Sequence, residues 1–154
     1  GEGDEVIALT IPGEPCGKGR PKFCKVGKFA RAYTPAKTVN HEATIKQLFA
    51  VHYPDFTPLD GPLLMSVFAY MSIPASASAK LRAAMLACRV WPTKKPDADN
   101  IFKLVADALS GLAYGDDKQI VTAQLHKFYS DRPRLEIYII PKSIIPDDGS
   151  GKSS

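Results

Sequence analysis

The sequence predicts an α+β fold, with a small mixed β-sheet and about three helices in a single domain. Three observations lead to this prediction. Segments with apolar residues at every second position are interspersed with segments of helical periodicity. The last two predicted strands are separated only by the turn of residues 130–133, which favours an antiparallel hairpin. The 154 residues also contain no internal repeat and no linker that would separate two domains.

Four segments have the pattern of β-strands, namely residues 6–11, 65–73, 120–129 and 135–140. The clearest is the second, in which every other residue is apolar and faces one side of the sheet. Its apolar positions are Met65, Val67, Ala69, Met71 and Ile73.

Two helices are predicted in the first two thirds of the chain, over residues 38–53 and 77–88. The first ends before Pro54, which cannot continue a helix. The second is expected to bury a stripe with i, i+3, i+4, i+7 spacing. This stripe consists of Leu81, Ala84, Met85 and Cys88.

The composition excludes several classes of protein. Hydrophobic residues make up 45% and charged residues 23%, which argues against a disordered chain or a membrane protein. The acidic N-terminus is unlike a signal peptide, so we expect a cytoplasmic location. The odd number of cysteines, Cys16, Cys24 and Cys88, predicts free thiols instead of a disulfide framework. Residues 1–145 are expected to form the domain, and residues 146–154 a disordered tail.

Positive charge is concentrated near the N-terminus. Residues 11–31 contain six basic residues and one acidic residue, a local charge of +5 in a chain whose net charge is +4. The basic residues are Lys18, Arg20, Lys22, Lys25, Lys28 and Arg31. Such side chains among glycines can approach a DNA backbone closely, and Phe23, Phe29 and Tyr33 can stack on unpaired bases. The alternative is a solvated loop whose aromatic side chains turn into the core.

A third helix is predicted over residues 100–110, with Gly111 as its C-terminal cap. Its core stripe is Ile101, Leu104, Val105 and Ala108. At 100° per residue, Asp99, Lys103 and Asp107 fall within an arc of about 80° on the opposite face. The alternative for Asp99 is a helix N-cap, a position that aspartate commonly occupies.

Five aspartates lie within 21 residues around this helix, at positions 97, 99, 107, 116 and 117. Carboxylates packed close together resist ionisation unless a cation lies among them, and Mg²⁺ suits such oxygen ligands. We therefore expect Asp97, Asp99, Asp116 and Asp117 to converge on one metal site. A metal held by carboxylates is typical of phosphodiester hydrolysis, because it activates water and neutralises charge on the phosphate.

Three lysines adjoin these aspartates. Lys103 can orient the attacking water or stabilise the transition state, and its alternative is a structural salt bridge to Asp99 or Asp107. Lys94 and Lys95 precede the aspartates and are placed to hold the cleaved strand. The predicted DNA-binding residues are therefore Lys18, Arg20, Lys22, Lys25, Lys94 and Lys95.

The motif Asp97-Ala98-Asp99-Asn100, followed by Lys103, Asp107-Ala108-Leu109 and Asp116-Asp117-Lys118-Gln119-Ile120, resembles the RusA family of Holliday junction resolvases. This resemblance implies catalytic roles for Asp97, Asp99, Lys103 and Asp117. It also implies a homodimer, because two symmetric nicks resolve a four-way junction, and it suggests a phage or prophage setting. The loop Gly17-Lys18-Gly19-Arg20-Pro21 departs from the Asn/Arg-rich loop of better-known members, which bears on substrate preference.

The leading hypothesis is therefore a Mg²⁺-dependent endonuclease that resolves Holliday junctions in DNA recombination and repair. Two alternatives stay open. One is a branched-DNA binding protein without catalytic activity, and the other is a nuclease with a broader range of flap and fork substrates.

Overall fold

The computed structural model of the chain describes residues 5–19, 22–26, 29–33 and 36–142. Within these residues the chain forms three α-helices, one 3₁₀ turn and six strands. The helices are α1 (Ala36–His52), α2 (Ala79–Leu86) and α3 (Ala98–Leu109), and the 3₁₀ turn is Asp117–Gln119. The strands are β1 (Ile7–Pro12), β2 (Lys22–Val26), β3 (Phe29–Tyr33), β4 (Leu63–Ser72), β5 (Ile120–Ser130) and β6 (Arg134–Pro141).

A four-stranded mixed sheet, in the order β1-β6-β4-β5, forms the centre of the molecule. Strand β4 is parallel to β5 and antiparallel to β6, and β6 is antiparallel to β1. The α+β prediction with a small mixed sheet is confirmed. The remaining strands, β2 and β3, form a separate antiparallel pair within the segment that we expected to be a basic loop.

The predicted hairpin of the last two strands is wrong. Strands β5 and β6 are consecutive in sequence, but β4 lies between them in the sheet. The physical reason is the composition of β4, which buries Met65, Val67 and Ala69 completely and therefore needs a central position. The short connection after Ser130 carries the chain past the end of β4 to its other edge.

Aromatic pairs across the strands stabilise the parallel contact of β4 with β5. Phe68 lies opposite His126 in register, with ring centroids 4.8 Å apart and planes inclined by 15°. Tyr70 lies opposite Phe128, with centroids 5.6 Å apart. These side chains cover the face of the sheet that points away from the main hydrophobic core.

The main core lies between the other face of the sheet and helices α1 and α3. Every residue of the predicted α3 stripe is fully buried, which confirms the assignment of its core face. The helix ends as predicted, because Gly111 follows it with a φ of +86°, a conformation that glycine adopts without steric cost. Helix α1 contributes Ile45 and Phe49 to the same core.

Helix α2 differs from its prediction. It starts after Ser78, whose side chain accepts a hydrogen bond from the Leu81 backbone N–H, and it is only eight residues long. Of the predicted stripe, only Met85 is buried, whereas Leu81 and Cys88 are exposed. A short helix packed on the edge strand β5 has too little contact area to bury a full apolar face.

The structure bears on the predictions for the cysteines only in part. Cys88 is exposed with a free thiol, Cys16 is buried, and the side chain of Cys24 lies outside the described residues. The predicted tail of residues 146–154 also lies outside them. None of the helices in the described part of the chain has the length and hydropathy needed to cross a lipid bilayer.

A buried hydrogen bond from Tyr114 connects the end of α3 to the segment that follows it. The Tyr114 hydroxyl donates to the Ala106 carbonyl oxygen over 2.6 Å, and the side chain is fully buried. We predict that Tyr114→Phe lowers the free energy of unfolding by about 1 kcal/mol, the usual contribution of one hydrogen bond. Urea denaturation measures this loss.

Tyr129→Phe is the matched control, because Tyr129 is half-buried and its hydroxyl makes no hydrogen bond to the described residues. It should change stability by less than about 0.5 kcal/mol. Equal losses in the two variants would contradict the importance of the Tyr114 bond.

Candidate active site

The start of α3 is fixed by the N-terminal segment of the chain. A Cβ atom on Gly17 would lie 2.8 Å from the Pro96 Cβ and 3.1 Å from the Asn100 Cβ, so only glycine allows this close approach. The neighbouring backbone N–H of Lys18 donates to the Asn100 carbonyl oxygen over 2.9 Å. The segment that contains Gly17 therefore packs directly on the residues that surround Asp97 and Asp99.

Asp97, not Asp99, is the N-cap residue of α3, so the capping alternative for Asp99 is wrong. The Asp97 side chain makes no capping hydrogen bond, and Asp99 lies in the first turn of the helix. Both side chains are exposed. Neither carboxylate is therefore used in closing the helix N-terminus, and both remain accessible to a ligand.

The polar face of α3 is oriented as predicted. Asp99 and Lys103 are exposed and Asp107 is half-buried, on the side opposite the buried stripe. Asp107 forms an ion pair with Lys18, and not with Lys103. Within the described part of the chain Lys103 has no ion pair, so the salt-bridge alternative for this residue is not observed.

Asp116 and Asp117 lie on the short turn that leads into β5. Asp116 caps this turn by accepting a hydrogen bond from the Lys118 backbone N–H over 2.9 Å. The Gln119 side chain holds the turn from both ends. Its oxygen accepts from the backbone N–H groups of Gly115 and Asp116, and its amide nitrogen donates to the carbonyl oxygens of Leu59 and Gly61, over 2.9–3.0 Å.

Our reading of the sequence missed the role of Gln119, although the signal is present. An aspartate followed three residues later by glutamine is the pattern of a capping box, and the structure contains one here. The buried hydroxyl of Tyr114, which joins the same segment to α3, carried no such local signal.

The carboxyl groups of Asp116 and Asp117 interact directly. A hydrogen bond that the protonated Asp117 carboxyl donates to Asp116, then burial and then the negative charges of Asp116 and Asp107 raise the pKa of Asp117. The pKa of Asp116 is lowered, first by the hydrogen bond from the Lys118 backbone and then by the bond to Asp117. Burial, followed by the charges of Asp117, Asp107 and Asp116, raises the pKa of Tyr114. Asp107, Asp116 and Asp117 are therefore close enough to repel one another.

The acidic residues thus have two locations along α3. Asp107, Asp116 and Asp117 interact near its C-terminal end, while Asp97 and Asp99 lie at its N-terminus. Asp107 lies eight positions after Asp99, which corresponds to an axial distance of about 12 Å along the helix. The convergence of Asp97 and Asp99 with Asp117 on a single cation stays a prediction.

The donor types fit a hard divalent cation, although in the described residues no three His, Cys, Asp or Glu side chains are arranged to hold a metal. Mg²⁺ is usually bound by one or two protein carboxylates together with water and substrate phosphate oxygens. Exposed carboxylates that repel one another, as Asp116 and Asp117 do, gain most from such an ion.

A family model for the endodeoxyribonuclease RusA matches residues 12–140. The chain belongs to the RusA family. An uncharacterized protein of Bacillus subtilis (strain 168), YqaN, is 36% identical over 137 residues, which are 88% of this chain and 96% of that protein. A crossover junction endodeoxyribonuclease rusA of Lactococcus phage r1t is 40% identical over 50 residues, 32% of this chain and 38% of the phage protein.

Membership of the RusA family identifies the chain as a crossover junction endodeoxyribonuclease, an enzyme class that hydrolyses phosphodiester bonds. The nucleases of this family act on branched DNA and generally depend on divalent metal ions. This confirms the enzyme class that the aspartate motif predicted.

In this RusA-family chain, the basic residues that are predicted to contact DNA differ from one another in exposure and in their partners. Lys94 and Lys95 are exposed in the loop before Asp97. Lys18 is half-buried, and its hydrogen bond to Asp107, together with the charges of Asp107 and Glu42, raises its pKa despite burial. Arg20 and the side chains of Lys22, Lys25 and the three aromatic residues lie outside the described residues.

We predict that Asp116→Asn lowers the pKa of Asp117. The asparagine oxygen can still accept the Lys118 N–H bond that caps the turn, but the negative charge that disfavours ionisation of Asp117 is removed. Carboxyl ¹³C NMR titration should therefore show Asp117 losing its proton at a lower pH than in the wild-type protein.

Asp55→Asn is the matched control for this titration. Asp55 is exposed on another loop and has a φ of +56°, which asparagine tolerates. This variant should leave the Asp117 titration unchanged. An unaltered Asp117 pKa in Asp116→Asn would show that the two carboxyl groups do not interact.

Proposed function

We propose that this chain is a Mg²⁺-dependent endonuclease that resolves four-way DNA junctions by paired, symmetric nicks, acting in DNA recombination and repair. The observation that carries the proposal is the polar face of α3, which presents exposed Asp97, Asp99 and Lys103 in a member of an endodeoxyribonuclease family. The partial match to a phage enzyme supports a phage or prophage setting, with the cytoplasm as the place of action.

We assign the metal ligands to Asp97, Asp99 and Asp117, with Asp116 as a further ligand. When bound there, Mg²⁺ would make water a better nucleophile and neutralise charge on the scissile phosphate. The Asp97 carboxylate is free of capping bonds, and Asp99 is exposed one position after the helix start. Ligands held on a rigid helix and a hydrogen-bonded turn keep their positions when DNA binds.

Lysine side chains supply the positive charge of the proposed mechanism. Lys103 is exposed, without an ion pair in the described residues, and its ammonium can donate to the phosphate as negative charge builds on it. Lys94 and Lys95 can hold the backbone of the cut strand. Lys18 is paired with Asp107, so its proposed phosphate contact requires this ion pair to open.

The proposed homodimer follows from the reaction. One active site cuts one strand, while resolution of a four-way junction needs a second cut in the opposing strand. Two identical subunits related by a twofold axis supply the second site in the required symmetric position.

We predict that the purified protein cleaves a synthetic four-way junction with Mg²⁺ and not with EDTA. Asp97→Asn and Asp117→Asn should each lower the cleavage rate by at least about 100-fold, since each removes a group that stabilises the transition state. Junction affinity, measured by gel shift without divalent metal, should change little. Asp55→Asn again serves as the control and should cleave at the wild-type rate.

The result that contradicts the catalytic assignment is full activity of the Asp97→Asn, Asp117→Asn double variant. Binding of the junction without cleavage at any Mg²⁺ concentration would select the non-catalytic alternative. Cleavage of flaps and forks at rates equal to that of the junction would select the broader substrate range.

A separate experiment tests whether the two nicks are made as a pair. On a supercoiled plasmid with an extruded cruciform, two nicks made before dissociation give linear DNA, whereas unpaired nicks give an open circle. We predict linear DNA as the first product, and a dimer in analytical ultracentrifugation. An open circle as the first product from a monomeric protein would overturn the dimer proposal.

A further inference from the structure

Lys127 is a lysine at a position of β5 where an apolar side chain is expected. The residues two positions away on either side, Leu125 and Tyr129, pack against the hydrophobic core. Side chains two positions apart on a strand share one face of the sheet, so Lys127 also faces the helical layer. It is only partly exposed, and an amine in this setting needs hydrogen-bond acceptors.

The acceptors are two backbone carbonyl groups directly before the aspartate motif. The Lys127 ammonium donates to the Lys94 carbonyl oxygen over 2.7 Å and to the Pro96 carbonyl oxygen over 2.9 Å. Hydrogen bonds from a charged donor are stronger than those between neutral groups. No carboxylate forms an ion pair with Lys127 in the part of the chain that the structure describes.

Pro96 is thereby held from two sides. Gly17 contacts its side chain so closely that a Cβ atom on the glycine would lie 2.8 Å from the Pro96 Cβ. Lys127 binds its carbonyl oxygen, and the next residue is Asp97, the N-cap of α3. The orientation of the Asp97 backbone therefore depends on contacts from two distant parts of the chain.

We propose that Lys127 is a positioning residue for the metal ligands, and this rests on the proposed function. Its ammonium joins the carbonyl groups of residues 94 and 96 and so fixes the turn that presents Asp97 and Asp99. The amine is used within the protein and does not contact DNA. Loss of these two bonds lets the turn move, which weakens metal binding without removing a phosphate contact.

The test compares Lys127→Met, which keeps the length of the side chain but not its donors, with Lys127→Arg, which keeps donors and charge. Lys80→Met, on the exposed surface of α2, is the control. For each protein we measure the Mg²⁺ dependence of junction cleavage, and junction affinity at several salt concentrations without divalent metal. Amide hydrogen exchange of residues 94–100 is measured as well.

Lys127→Met should raise the Mg²⁺ concentration for half-maximal cleavage by about 10-fold, as loss of a group that orients a metal ligand typically does. Amide exchange of residues 94–100 should become faster, while junction affinity and its salt dependence stay at wild-type values. Lys127→Arg should recover most of the Mg²⁺ affinity, and Lys80→Met should match the wild type.

Two results would overturn the proposal. One is a Lys127→Met protein with wild-type Mg²⁺ dependence and unchanged exchange in residues 94–100. The other is weaker junction binding with a smaller salt slope, which identifies Lys127 as a phosphate contact. If Lys127→Met does not fold, Lys127→Gln carries the same test, because its shorter amide cannot reach both carbonyl groups.

The amide hydrogen-exchange measurement tests the role of Lys127 independently of the proposed nuclease function. A wild-type protein that cleaves no DNA with Mg²⁺ contradicts the function. The exchange rates of residues 94–100 in Lys127→Met still decide whether Lys127 holds the turn.

Discussion

Burial of one side of α3 is the constraint on which the rest of the structure depends. Ile101, Leu104, Val105 and Ala108 are fully buried between the sheet and α1, so the helix cannot rotate about its axis without exposing them. Because the helix is fixed, the direction of its polar face is fixed as well. The hydrophobic core therefore determines where the acidic residues point, and the polar side chains need few contacts of their own to stay in place.

The carboxylates on the polar side of α3 and on the neighbouring turn interact unfavourably, because they carry the same charge. Asp107, Asp116 and Asp117 repel one another, and the chain relieves part of this repulsion with its own groups. Lys18 pairs with Asp107, and the Asp116 carboxylate accepts a hydrogen bond from the Lys118 backbone N–H. These contacts offset part of the negative charge near the C-terminal end of α3. At the N-terminus of α3, Asp97 and Asp99 are exposed and form no ion pair with the described residues.

Local patterns in the sequence predicted the parts of the fold that local physics determines. Helix α3 was predicted within two residues of its observed bounds because a 3.6-residue period with a capping glycine specifies a helix directly. The strand order was not predictable in this way, since no local pattern records that β4 separates β5 from β6. For the same reason the sequence suggested Lys18 as a DNA contact but not its ion pair with Asp107, which lies 89 residues away. Nor did it suggest a role for Lys127, because the sequence does not show which carbonyl groups this lysine contacts.

The strand order also affects how the protein is made. Among the strands that the structure describes, β6 comes last in sequence, yet it lies inside the sheet and pairs with both β1 and β4. A ribosome releases the chain N-terminus first, so β1 and β4 emerge without the strand that joins them. The sheet cannot close until residue 141 has left the exit tunnel. Until then β1 is unpaired, and its free edges can associate with strands of other chains. A nascent chain that stalls before β6 already contains the whole aspartate motif, but its sheet is incomplete.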